Sequence, residues 1–116
     1  MEYKLFLDTN ALLNLQQAAF KEPFVISQKT LEEIENIKTS GKKDGEVKYK
    51  ARLIAHLLDE NFGNYEVVRT TSSTKDVIET CDLEETPDNI ILASAYLYNK
   101  DTAPIIFCTD DLNCKF

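Results

Sequence analysis

Short apolar runs alternate with longer amphipathic segments along the whole chain. Four of the runs have the length and the aliphatic and aromatic content of buried β-strands, and polar or turn-forming residues bound each of them. They are "YKLFL" (3–7), Phe24–Ile26 within "EPFVIS", "YEVVRT" (65–70) and the strand within "APIIFCTDD" (103–111).

Helical patterns separate these runs. In "QKTLEEIENIK" (28–38), which Ser27 can begin, Leu31, Ile34 and Ile37 recur every three residues and form one apolar stripe. The segment "TPDNIILASAYLYNK" (86–100) opens with Thr before Pro, a typical helix start. The other predicted helices are "ALLNLQQAAF" (11–20), Glu46 to Glu60, and a short one within "SSTKDVIETCDLEE" (72–85).

The predicted order is β-α-β-α-α-β-(α)-α-β. Strands separated by helices are typically parallel and joined by right-handed crossovers. The sequence therefore predicts an α/β fold, a three-layer α/β/α sandwich around a mainly parallel sheet of four or more strands. Its 116 residues contain no repeat or linker, so we expect a single domain spanning residues 1–116.

Acidic residues fall where two of these strands end. Asp8 follows the first strand, and Asp110 and Asp111 follow the last one. Glu33 and Asp88 lie in early turns of helices that start from the same edge of the sheet. Because ligands of open α/β sheets bind outside the carboxyl ends of the strands, these acids are candidate site residues.

Each acid also has a purely structural interpretation. Asp8 or Thr9 could cap the helix that begins near Ala11. Thr30 and Glu33 have the spacing of a capping box, and Asp88 could complement a helix dipole. Each structural role alone is as plausible as a functional one, but several acids at a single edge are harder to explain in that way.

Helical geometry selects among the acids of "LEEIE". At about 100° per residue from Leu31, Glu33 lies near 200°, beside the apolar stripe, where it can face a cleft. Glu32, near 100°, faces solvent, and Glu35, near 40°, borders the other side of the stripe and stays open as a candidate.

Carboxylates that meet at one edge need a partner. Two charges about 4 Å apart repel by roughly 4 kcal/mol at an effective dielectric of about 20, which favours a bound cation. Oxygen ligands select hard ions such as Mg²⁺ or Mn²⁺. Zinc is disfavoured because His56, the single histidine, lies inside a predicted helix and the cysteines are not closely paired.

Composition narrows the partners and the compartment. The net charge of −7 argues against passive attraction to nucleic acid or an anionic membrane, although an acidic cluster becomes locally cationic once it binds metal. The start "MEYKLFLDTN" predicts neither a signal peptide nor a membrane span. An odd number of cysteines, Cys81, Cys108 and Cys114, indicates free thiols in a reducing compartment, so we expect a soluble cytoplasmic protein.

Taken in order, "FLDTNALL", "VISQKTLEEIENIK", "DNIILASAYLY" and "IIFCTDDLN" resemble a PIN domain, a metal-dependent ribonuclease fold, and look closest to the PIN domains of PhoH-type proteins. The resemblance covers nearly the whole chain. Such domains usually continue into a further helix and often a strand, so the chain is expected to be a minimal form or an excised domain.

The resemblance implies a metal-dependent endoribonuclease that hydrolyses single-stranded RNA to 5′-phosphate and 3′-hydroxyl ends with Mg²⁺ or Mn²⁺. It implies that Asp8, Glu33, Asp88 and Asp111 are catalytic and metal-site acids, with Asp110 as second choice to Asp111. By the same resemblance, Asn10 and Thr109 order the loops at the strand ends.

Basic residues concentrate in one segment that could hold an RNA backbone. Lys42, Lys43, Lys48, Lys50 and Arg52 lie within it, and Tyr49 could stack on an unpaired base. An equally good interpretation is a solvated helix face.

Two alternatives remain. One is a catalytically inactive PIN-like module that binds RNA or another protein. The other is a haloacid-dehalogenase-type phosphatase, disfavoured because Asn10 stands where that family needs an acid. The sequence leaves open a homodimer and an antitoxin-like or ATPase partner.

Overall fold

The computed structural model describes residues 3–41 and 45–109, together with the backbone of 114–115. Its elements in chain order are β1 Lys4–Leu7, α1 Thr9–Leu15, a 3₁₀ helix Gln16–Lys21, β2 Phe24–Ser27, α2 Gln28–Thr39, α3 Gly45–Glu60, β3 Tyr65–Val68, α4 Ser72–Thr80, α5 Pro87–Asp101, β4 Ile105–Cys108 and β5 Cys114–Lys115.

The strands form one sheet in the order β3-β2-β1-β4-β5. The first four strands pair in parallel, and β5 pairs antiparallel with β4 at the edge. Because β1 lies between β2 and β4, its carboxyl end is at the middle of the parallel sheet. The predicted α/β architecture is confirmed.

Alternation along the strands gives the sheet two buried faces. Leu7 and Ile26 point to one face, where they pack with residues of α1, α2 and α3 such as Ile54. Phe6 and Val25 point to the other face and pack against α5. Helices therefore cover both faces of the sheet, which is the three-layer arrangement that the sequence predicts.

Two local predictions are wrong or incomplete. The segment 11–20 is not one helix, since α1 already begins at Thr9 and a 3₁₀ helix replaces it after Leu15. Gln16 has a positive φ of 53°, which breaks the regular α-helical hydrogen bonding there. The second difference is β5, a two-residue antiparallel strand that the apolar pattern does not indicate.

A polar network crosses the sheet on the α5 side. Lys4 of β1 donates a hydrogen bond to Oε1 of Glu66 on β3, reaching across β2, and the Tyr98 hydroxyl of α5 donates to Glu66 Oε2 at 3.0 Å. The hydrogen bond from Lys4 lowers the pKa of Glu66. The same hydrogen bond raises the pKa of Lys4. Burial raises the pKa of Tyr98.

None of the helices in the described ranges is long and apolar enough to cross a membrane.

Glu66→Gln tests whether this network contributes to stability. Because the pKa of Glu66 is lower in the folded chain than its ordinary value of 4.5, its contribution is present above that value and is lost as pH falls through the folded pKa. Both Lys4 and Glu66 side chains are about half exposed, so we expect a contribution of only about 0.2–1 kcal/mol.

Urea unfolding over a pH series measures this contribution. The difference in unfolding free energy between wild type and Glu66→Gln should shrink as the solution is acidified below pH ~4.5. Glu79→Gln, a change at an exposed glutamate of α4, is the matched control. A pH-independent difference for Glu66→Gln would contradict the assigned network.

Candidate functional site

Asp8 lies directly after β1, at the middle of the parallel sheet. Its backbone N–H donates to the Cys108 carbonyl at 3.1 Å, which extends the pairing of β1 and β4 by one residue. Its side-chain Oδ1 accepts a hydrogen bond from the Ala11 N–H at 2.7 Å and caps α1. The capping interpretation of Asp8 is therefore confirmed, and the cap holds this carboxylate at the carboxyl edge of the sheet.

Glu33 is tied to the same strand end through a buried threonine. The Thr9 hydroxyl lies 2.6 Å from Glu33 Oε1 and 3.2 Å from the Thr30 hydroxyl. Thr9 is 6% exposed and Thr30 is fully buried, so the contact between the two hydroxyls is shielded from water, whereas the contact with Glu33 is only partly buried. The residue that follows Asp8 thus orients an acid of α2.

The capping-box interpretation of Thr30 and Glu33 is wrong. Helix α2 begins at Gln28, and the Ser27 side chain caps it by accepting from the Lys29 N–H at 3.0 Å. Thr30 therefore lies inside the helix, which leaves its hydroxyl to pair with Thr9 rather than with the start of the helix.

Asp88 lies in the first turn of α5. The Thr86 hydroxyl accepts from the Asn89 N–H at 3.2 Å and caps this helix, and Pro87 takes the first helical position, as the sequence predicts. Asp88 is exposed, and this turn places it at the same edge of the sheet as Asp8.

These three acids line one cleft of about 360 Å³. They come from three distant segments of the chain, and Asn10 joins them in the lining. The complete lining is Asp8, Thr9, Asn10, Lys29, Glu33, Asn36, Ile37, Ser40, Pro87 and Asp88.

The remaining predicted site residues lie elsewhere or outside the described ranges. Thr109 directly follows β4, at the same sheet edge as Asp8, but it lines a separate groove with Leu92 and Tyr96. Asp110 and Asp111 are outside the described residues. Glu35, which the helical angles left open, is exposed and forms an ion pair with Lys38 at 3.2 Å, away from the cleft.

The donor chemistry of the cleft fits a hard divalent cation. Asp8, Glu33 and Asp88 supply carboxylate oxygens, the ligands that Mg²⁺ and Mn²⁺ prefer. His56 does not belong to it, since it is exposed on α3 and pairs with Glu60 at 2.7 Å. Within the described ranges, no group of three or more His, Cys, Asp or Glu side chains is close enough to hold a metal ion.

Sequence reasoning missed three polar residues that line the cleft: Lys29 and Asn36 of α2, and Ser40, which caps the end of that helix. Their signal was present, because together with Glu33 they occupy positions i, i+4, i+7 and i+11, which face the same side of a helix. Thr9 was also missed as a cleft residue, since it was considered only as a helix cap.

The basic segment is divided in the structure. Lys48 and Lys50 lie on α3, where a separation of two residues turns them about 200° apart, so they do not share a face. Lys50 pairs with Glu46 at 3.6 Å, while Arg52 and Tyr49 are exposed. Lys42 and Lys43 lie outside the described residues, so RNA binding by the segment stays a prediction.

The family is settled by a match across almost the entire chain. A family model for the PIN domain matches residues 5–116. The chain belongs to the PIN domain family. Members are generally nucleases and generally use divalent metals such as Mg²⁺, which favours the nuclease interpretation over the phosphatase.

The comparisons identify the family but no more specific group within it. No curated protein and no solved structure matches the chain. The closer similarity to PhoH-type PIN domains stays a prediction, as do the cytoplasmic location and the roles of individual site residues.

Asp8→Asn and Asp8→Ala separate the helix-capping role of this side chain from the role of its negative charge in the cleft. Asparagine caps a helix about as well as aspartate, whereas alanine does not, and both variants lose the same charge. We expect Asp8→Ala to be less stable than Asp8→Asn by about 0.5–2 kcal/mol in urea unfolding with chelator present. Equal stability of the two variants would show that the cap contributes nothing.

Thr9→Val tests the buried link between the strand end and Glu33. Valine keeps the branched shape but removes the hydroxyl, which deprives Thr30 and Glu33 of a partner. We expect the free energy of unfolding to fall by about 1–3 kcal/mol, the usual consequence of leaving a buried polar group unpaired. Thr9→Ser, which keeps the hydroxyl, should recover most of this loss; a Thr9→Val protein as stable as wild type would refute the link.

Proposed function

We propose that this PIN domain is a metal-dependent ribonuclease that hydrolyses phosphodiester bonds of single-stranded RNA at the acidic cleft. One observation carries the proposal: Asp8, Glu33 and Asp88, from three distant segments, line the same cleft in a family that generally consists of nucleases.

In this proposal the three acids hold Mg²⁺ or Mn²⁺, with Asp111 as the fourth ligand and Asp110 as its second choice. Asp8 has the central position because β1 is in the middle of the parallel sheet and the α1 cap fixes its carboxylate. Thr9 restrains Glu33 so that one of its oxygens has a defined direction. Asn10 and Thr109 order the loops that follow β1 and β4.

The reaction is hydrolysis by water. The water oxygen attacks phosphorus, the bond from phosphorus to the 3′ oxygen breaks, and a proton reaches that oxygen, which leaves 5′-phosphate and 3′-hydroxyl ends. A bound divalent ion supplies Lewis acidity, which activates water and stabilises the charge on the leaving oxygen. In this proposal the acidic side chains of the cleft would hold and position the ion.

Two helix N-termini lie beside the acids of the cleft. Helices α1 and α5 both begin at this edge, and their N-termini carry partial positive charge that favours nearby carboxylates. This effect is modest, about 0.3–1 kcal/mol for each exposed charge.

An inactive RNA-binding or protein-interaction module is the second candidate. The observation in its favour is that no three acidic, histidine or cysteine side chains within the described ranges are already arranged around a common ion position. RNA binding without cleavage, unaffected by Mn²⁺, would support it.

Cleavage of an unstructured single-stranded RNA tests the nuclease proposal. We expect cleavage that depends on Mn²⁺ and stops when a chelator is added. We also expect Asp8→Asn and Asp88→Asn each to lower the cleavage rate by more than about 100-fold. That exceeds the 10–100-fold loss typical for removing a residue that only supports a metal ligand. Gel analysis of end-labelled RNA measures both the rate and the chemistry of the ends.

Asp101→Asn is the matched control for Asp88→Asn. It makes the same change at the exposed far end of α5, about 20 Å along the helix axis from Asp88, and should cleave at the wild-type rate. If Asp8→Asn cleaved RNA at the wild-type rate, the activity would come from a contaminant, and the proposal would be overturned.

A further inference from the structure

Helix α2 forms one polar wall of the acidic cleft. Lys29, Glu33, Asn36 and Ser40 all line it, and their spacing puts them on the same side of the helix. From Lys29 to Ser40 the wall extends about 16 Å along the helix axis, at about 1.5 Å per residue. It is therefore long enough to contact nucleic acid on both sides of Glu33.

The chemistry along this wall changes from end to end. Glu33 is an acceptor in the middle, whereas Lys29 on one side and Asn36 on the other carry N–H donors. Phosphate oxygens accept hydrogen bonds and are repelled by carboxylates, so donors must hold the RNA backbone beside the acids. Among the described residues, Lys29 is the single basic side chain that lines the cleft.

Lys29 is held only weakly by its neighbour. Its Nζ lies 3.5 Å from Glu32 Oε1, and the Glu32 side chain is half exposed. Ion pairs of this kind contribute little, since water screens them, so the ammonium can exchange Glu32 for a phosphate at small cost. Lys50, by comparison, is on α3 and does not line the cleft.

We propose that Lys29 binds a phosphate of single-stranded RNA next to the bond that is cleaved, and that Asn36 contacts the backbone on the other side of Glu33. The proposal rests on the nuclease function above and names the residues that position its substrate. Lys29 is a substrate-binding residue, and it takes no part in holding the metal.

Binding of fluorescently labelled oligouridylate, measured by anisotropy over a range of salt concentrations, tests this role. Asp8→Asn serves as the parent because it should bind RNA without cleaving it. Adding Lys29→Gln should weaken binding about tenfold, as expected for losing a charged hydrogen bond. It should also reduce the slope of log affinity against log salt by about 0.7, the value for one phosphate contact with a single strand.

Three further variants on the same parent separate binding from a structural effect. Lys29→Arg keeps the charge and should restore both affinity and slope. Asn36→Ala should weaken binding without changing the slope, since a neutral contact releases no counterion. Lys100→Gln, at the exposed far end of α5, is the matched control and should equal the parent in both respects.

The outcomes distinguish the two proposals. If the parent binds RNA and Lys29→Gln changes neither affinity nor salt slope, the role of Lys29 is refuted while the nuclease function stands. If neither the parent nor the wild type binds oligouridylate with or without Mn²⁺, the nuclease proposal fails, and the role of Lys29 fails with it.

Discussion

The parallel pairing of β1 between β2 and β4 is the constraint on which the rest of the structure depends. Parallel strands end at a common edge, and the helices that connect them begin there, so residues far apart in sequence meet at that edge. Asp8 ends the central strand, Glu33 follows β2 by about two helical turns, and Asp88 opens α5. A shift of β1 by one residue in its register would move each of its side chains to the opposite face of the sheet and would displace Asp8 from its position.

Structural and chemical roles coincide in the residues after β1. Asp8 is a helix cap as well as a candidate metal ligand, and Thr9 is a buried core residue as well as the partner of Glu33. The cap explains why an acid is tolerated at the end of a buried strand. Capping requires no other carboxylate nearby, so it does not explain why Asp8 lines the same cleft as Glu33 and Asp88.

The sequence predicted the elements whose patterns are local. Apolar periodicity identified the parallel strands, and the Thr86–Pro87 pair identified the start of α5. What it did not predict depends on contacts between distant segments: the pairing of Thr9 with Thr30, which replaced the proposed capping box, and the position of Lys29 in the cleft. The 3₁₀ helix after Leu15 was missed because a positive φ at Gln16 has no apolar signature.

Mn²⁺ added in small amounts to isotope-labelled protein gives the most direct test that distant acids share one divalent ion. The paramagnetic ion broadens NMR signals of nearby amides, so its position is read from the chain itself. The account predicts selective broadening at residues 8–10, 33–37 and 88–89 together, and its loss in Asp8→Asn. Broadening confined to other acidic segments such as 59–60 or 84–85, or to just one of the three predicted segments, would contradict it.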